Sequence, residues 1–199
     1  MDIELIIFAA VAVFVISRLY SVLGTKTGAE PPQTVARETS PRRAEDSEEA
    51  PRKPGIRPAF TGPGAAGMEA IAAIDKQFNP RDFLQGSKKA YEMIVAAFAD
   101  GDRKMLKTLL DDDVYEAYET AIDEREAAGR DPLRLMRLRS AEIADAELTH
   151  DGIARVSVSF EASLSDGENQ RTAKEIWTFE RPARSRDPNW FLSEVAEAS

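Results

Sequence analysis

Ala154-Arg155-Val156-Ser157-Val158-Ser159-Phe160-Glu161-Ala162-Ser163-Leu164 alternates without a break. Ala154, Val156, Val158, Phe160, Ala162 and Leu164 fall on one face, and Arg155, Ser157, Ser159, Glu161 and Ser163 on the other. A period of two with one apolar face is the pattern of a half-buried antiparallel strand. Ser165-Asp166-Gly167-Glu168 then supplies an Asp-Gly turn, and residues 172–181, with Ile176, Trp177 and Phe179, return as the partner strand. Residues 135–148 read as a strand before this hairpin. After the turn at Arg184-Ser185-Arg186-Asp187-Pro188-Asn189, residues 190–195 read as the last one. The C-terminal half is therefore expected to form a four-stranded antiparallel meander.

Upstream of Pro132 the period is helical. Met68, Ile71, Ile74 and Phe78 recur at helical spacing, and Asn79-Pro80-Arg81-Asp82 reads as the start of a second helix, with Asn79 as N-cap and Pro80 in the first position. That helix carries Leu84, Tyr91, Ile94, Val95 and Phe98 on one face and stops at Gly101. Asp102 caps a third, shorter helix with Met105, Leu106, Leu109 and Leu110. Asp111, Asp112 and Asp113 precede a fourth, with Val114, Tyr118, Ala121, Ile122 and Arg125 along one side. Acids there oppose the helix macrodipole and do not follow a calcium-loop spacing, so no metal site is expected. Helices followed by a meander make an α+β domain, with the helices on one face of the sheet.

This domain is expected over residues 65–199, behind two further segments. Leu5-Ile6-Ile7-Phe8-Ala9-Ala10-Val11-Ala12-Val13-Phe14-Val15-Ile16 is unbroken and apolar. Extended to Leu23 as a helix it would reach roughly 28 Å, the thickness of a bilayer core. Arg18 lies near the end, where its long side chain can reach the headgroups. A cleaved signal peptide would begin on a basic stretch, whereas Met1-Asp2-Ile3-Glu4 is acidic. A buried core helix would show amphipathic periodicity, and this run shows none. Residues 1–23 thus read as a transmembrane anchor. Arg18, Lys26, Arg37, Arg42 and Arg43 follow the span, so the positive-inside tendency puts the C-terminal domain in the cytoplasm, or in the topologically equivalent mitochondrial matrix. Residues 24–64 hold seven of the eleven prolines (Pro31, Pro32, Pro41, Pro51, Pro54, Pro58 and Pro63) among charges of both signs. Such a composition buries too little surface to offset its ordering entropy, and the expectation is a disordered linker.

Composition narrows the function. The chain has no cysteine and one histidine, His150, which excludes thiolate chemistry and any site needing two imidazoles. His150 sits in His150-Asp151-Gly152, a turn between strands, and reads as a surface residue. The net charge of -9 repels phosphate, so nucleic acid is not an expected partner. All of that excess is in residues 65–199, with eighteen basic and twenty-seven acidic groups.

FLQGSKKAYEMIVAAFADGD (residues 83–102), LLDDDVYEAYETAIDEREAAG (109–129) and EIWTFERPARSRDPNWFLSEV (175–195) carry a resemblance. Together they resemble the Tim-forty-four-like domain family, the C-terminal domain of the mitochondrial inner-membrane import scaffold, and look closest to its α-proteobacterial TimA-type adaptors. The most specific part is W-x-F-x-R (Trp177, Phe179, Arg181) followed by S-R-D-P-N-W (Ser185 to Trp190). The resemblance implies an NTF2-like cone, helices packed on a curved sheet around an apolar pocket, and a role as a non-catalytic inner-membrane adaptor or scaffold. It implies no cofactor. The implied partners are membrane-protein clients and, because the first helices of the mitochondrial relatives associate with it, anionic lipid. The charged upstream segment that docks the import chaperone in those relatives has no counterpart in the short Pro-rich spacer.

Two sets of site residues follow. Tyr91, Phe160, Trp177, Phe179 and Trp190 are expected to line the pocket, with Tyr91, Tyr115, Tyr118, Glu161 and Glu175 as its candidate polar groups. Lys76, Arg81, Lys88 and Lys89 outnumber Asp75 and Asp82 in the first two helices, and with Phe78 and Phe83 they form the expected membrane-contact patch. The alternative reading is an NTF2-like enzyme or a small-apolar-ligand binder held at the membrane.

Overall fold

The computed structural model describes residues 60–198. The expected anchor, 1–23, and residues 24–59 of the expected linker lie outside the described residues. Four helices precede four strands: α1 (Ala65–Ile74), α2 (Pro80–Asp100), α3 (Arg103–Leu109), α4 (Asp112–Ala127), β1 (Arg134–Leu148), β2 (Ile153–Ser165), β3 (Gln170–Pro182) and β4 (Phe191–Glu197). The strands pair antiparallel in the order β1-β2-β3-β4, so the chain forms the α+β meander that its periodicities imply. No helix among the described residues is long and apolar enough to cross a membrane.

Capping fixes the helix ends. The Asn79 side chain accepts from the backbone N–H of Arg81 and Asp82, and Pro80 opens α2, which Gly101 closes in the left-handed region at φ 67°. Asp102 and Asp111 accept from the N–H groups of Met105 and Val114, satisfying donors that a helix start leaves orphaned. At the far end of α2, the buried Arg125 of α4 donates to the carbonyls of Phe98 and Ala99, at 2.8 and 3.2 Å, and lies over the Phe98 ring. One side chain thus ties two helices together. Helix α1 is shorter than its apolar spacing suggests: Asp75 leaves the helical region after Ile74, and Phe78 falls in the turn.

Pairing brings Ala154, Val156, Val158, Phe160, Ala162 and Leu164 of β2 onto the helix-covered face, each buried. Trp177 and Phe179 of β3 join them. Trp177, Tyr91, Phe160, Phe179, Ile71, Ile94, Leu106, Ile122 and Leu192 are the largest fully buried side chains, each worth roughly 1.5–3 kcal/mol of burial. β1 meets β2 with register shifts at Leu135/Arg137, Leu138/Ser140 and Ile143/Asp145. Each adds an unpaired residue and bends the edge strand, curling the sheet around the helices. Glycine then lets α1 lie on β1: a Cβ at Gly67 would stand 1.7 Å from the Ala146 carbonyl oxygen, a contact no side chain permits. The first described residue, Phe60, which the sequence reading leaves in the linker, packs edge-on against Phe78 with ring centroids 6.5 Å apart.

Candidate functional site

Among the concavities of the described residues, two that meet β3 from the helical side differ in both shape and charge.

The outer one is an open groove of about 410 Å³ where α1 turns into α2, walled by Phe78, Phe83, Phe179 and Trp190 and bordered by Met93 and Lys89. Its aromatic wall is continuous. Phe83 lies 4.8 Å from Trp190 and 6.1 Å from Phe179, and Phe78 lies 6.0 Å from Trp190. Beneath Trp190 the guanidinium of Arg181 stacks at 4.9 Å, donates to the Asp187 carbonyl, and pairs with the Asp75 carboxylate at the end of α1. Both members of that pair are nearly buried, with side chains 9% and 12% exposed. A buried charge pair with good hydrogen bonding fixes geometry more than it adds stability. Here it fastens α1 to the end of β3 and holds Trp190 over the groove.

The inner concavity is a chamber of about 140 Å³ between α2, α4 and the sheet. Ile94, Val95, Leu133, Leu164 and Val195 supply its apolar surface, and Tyr91, Phe98, Tyr118 and Trp177 its rings. Glu175 provides the one carboxylate among these lining residues and Arg171 the one basic group. Trp177 Nε1–H donates to Glu175 Oε2 at 3.0 Å, and the Tyr91 hydroxyl donates toward the same carboxyl. Desolvation pushes the Glu175 carboxyl above the usual range, and the Trp177 hydrogen bond and the Arg171 charge pull it part of the way back. Burial, with the nearby Glu175 charge, also pushes the Tyr91 and Tyr118 phenols up.

The residues expected in one pocket are divided between the two. Tyr91 and Trp177 line the chamber. Phe160 lies behind it, stacked on Tyr91 at 4.6 Å. Phe179 and Trp190 belong to the outer groove. Of the polar candidates, Tyr118 and Glu175 join Tyr91 at the chamber. Tyr115 instead donates to Glu119 at 2.9 Å, and Glu161 pairs with Arg139 and Lys174 on the open face of the sheet. His150 is exposed beside Asp151.

In the expected membrane-contact patch, Phe83 is buried and Phe78 is half-buried within the aromatic wall. Lys76, Arg81 and Lys89 are exposed and Lys88 is half-buried. The patch keeps its cations, but its phenylalanines are committed to packing. Arg181 entered the sequence reading only within the W-x-F-x-R motif and without a role at the site, although alternation from Trp177 through Phe179 puts it on the buried face. The reading passed over Met93, which follows Phe83 on α2 and stands 41% exposed at the groove.

The profile of the Tim44-like domain matches residues 64–197. No curated protein matches the chain. Among solved structures, the intermembrane space region of the chloroplast protein ARC6 is similar at 20% identity and a TM-score of 0.44, covering 62% of this chain and 99% of that one. With the matched profile spanning the whole helical layer and the sheet, the chain belongs to the Tim44-like domain family.

Proposed function

We propose that this protein is a membrane-anchored, non-catalytic adaptor whose Tim44-like domain holds a client at the inner face of the membrane. Residues 1–23 would span the bilayer and the Pro-rich segment would tether the domain on the cytoplasmic side. The observation that carries the reading is the outer groove, an open wall of Phe78, Phe83, Phe179 and Trp190 at the turn between α1 and α2. Half-exposed Trp190 and exposed Met93 are the side chains that protein interfaces favour as anchors. Catalysis is the weaker reading because the chamber's lining has one carboxylate, already engaged by Trp177, and no second acid to act with it. Lys76, Arg81, Lys88 and Lys89 would add attraction to an anionic leaflet without inserted phenylalanines.

The test is photo-crosslinking of the full-length chain in its own membranes, with the reactive group placed at Met93 or, as a control, at Ser159 on the open sheet face. The expected result is a discrete adduct from Met93 with an integral membrane protein, in a fraction that resists carbonate extraction. Identical adducts from both positions, or release of the chain by carbonate, would sink the proposal.

A further inference from the structure

The outer groove has a floor as well as an aromatic wall, and one helix lays it. Asp82, Gly86, Lys89, Ala90 and Met93 line the groove from α2 at helical spacing, over about 16 Å at roughly 1.5 Å per residue. Gly86 is the unusual member. It is not in the left-handed region, and a Cβ there would meet nothing within 4 Å, so neither the backbone nor the packing inside the domain calls for glycine. Glycine in a helix interior is less stable than alanine or leucine. What it does here is keep the floor low: with Ala90 one turn further on, it lets a second backbone come close to α2. The groove's volume of about 410 Å³ equals roughly fourteen waters at about 30 Å³ each, room for two or three large side chains beside that backbone.

The rim adds a sign. Lys76 at the α1–α2 turn and Arg81, Lys88 and Lys89 on α2 form no ion pair among the described residues. The acids set against them are Asp82 and Glu92, because Arg181 already neutralises Asp75. The rim is therefore locally positive on a domain whose eighteen basic and twenty-seven acidic groups leave it negative. An acidic occupant is drawn to this rim and repelled by the rest of the surface, so the charge pattern places it as well as holding it.

We infer that the groove takes an acidic amphipathic helix of the client, with large apolar side chains against Phe78, Phe83 and Trp190, a small residue over Gly86 and Ala90, and carboxylates facing Lys88 and Lys89. About three turns of such a helix match the length of the floor. An extended occupant finds no sheet edge to join, because β3, the strand that lines the groove, is paired with β2 on one side and β4 on the other. Met93, with its adaptable thioether, suits the apolar stripe, while a basic helix would meet like charge at the rim. The inference rests on the adaptor reading and adds to it the chemistry of the partner.

The test uses the full-length chain in nanodiscs of zwitterionic lipid at constant ionic strength, with binding to empty discs subtracted. Three labelled Ala-rich helical peptides share one leucine stripe and carry Glu, Gln or Lys at every flanking position. Fluorescence anisotropy should show saturable one-to-one binding of the Glu peptide, about tenfold or more tighter than the Lys peptide, with the Gln peptide between them. Replacing Lys88 and Lys89 together by Glu should reverse the order. Gly86→Leu, at an exposed position where leucine is the better helix former, should abolish binding of all three without lowering the urea midpoint. Equal affinity for the three peptides, no saturation by the Glu peptide, tighter binding of the Lys peptide, an order unmoved by the Lys88 and Lys89 replacements, or full binding to Gly86→Leu would overturn the assignment. The peptide comparison on the parent chain decides the matter even if a variant fails to fold. Loss of the charge preference beside a persisting Met93 adduct removes this partner alone, whereas loss of the adduct removes the adaptor reading itself.

Discussion

The outer groove and the inner chamber are built from the same kind of side chain, yet they treat charge in opposite ways. At the groove, Arg181 meets Asp75 directly and the pair is covered by Trp190, so charge is neutralised locally and the surface above it is free to be apolar. In the chamber the Glu175 carboxyl accepts from two neutral donors, the Trp177 N–H and the Tyr91 hydroxyl, and Arg171 acts on it from the same lining. A directly paired charge fixes architecture, while one met by neutral donors in a buried wall stays sensitive to pH.

Breaking the groove's pair should have the largest effect. Arg181→Met leaves the Asp75 carboxylate in a nearly buried site, and should cost about 3 kcal/mol in urea unfolding. Adding Asp75→Asn should restore most of that loss. If the double variant is no more stable than the single, the two residues are not coupled and the pair does not fasten α1.

The chamber should respond less. Trp177→Phe removes the indole N–H from Glu175 and leaves a small void, costing about 1–3 kcal/mol. Equilibrium denaturation checks the size. For Glu175→Gln the informative quantity is a slope. A carboxyl whose folded value is raised binds its proton more tightly in the native state than in the unfolded chain. Ionising it therefore costs stability as pH rises from the ordinary glutamate range through the folded value, and the cost is relieved as pH falls back. The difference between Glu175→Gln and the parent should grow across that window and be flat below it. A difference independent of pH would mean that the carboxyl is not held up by burial.

Met93→Asp should change least. The side chain is 41% exposed, so stability should move by no more than about 0.5 kcal/mol, while crosslinking from a reactive group at Lys89, on the same groove, should fall.

The contrast also shows what was legible in the sequence. Period-two alternation on β2 and the capping residues Asn79, Asp102 and Asp111 identified strand and helix ends because each acts locally. β1 was harder to read. Its inward residues, Leu135, Leu138, Ala141, Ile143, Ala146 and Leu148, are spaced by three and two, since each register shift inserts an extra residue and blurs strand into helix. The single expected pocket became two for a related reason. Alternation puts Trp177 and Phe179 on one face but not at one depth: α2 and α4 close over the first, while the α1–α2 turn leaves the second at an open edge. Arg181 was readable from the same alternation, and its partner Asp75 was not, because that contact joins residues 106 positions apart.

The most direct test of the account compares two substitutions in one assay: the yield of the Met93 crosslink to its membrane partner in the full-length chain, with Trp190→Ala against Glu175→Gln. If the groove is the client site, Trp190→Ala should remove most of the adduct and Glu175→Gln should leave it at the parental level. Loss of the adduct from Glu175→Gln with retention in Trp190→Ala would move client binding to the chamber and contradict the division of roles.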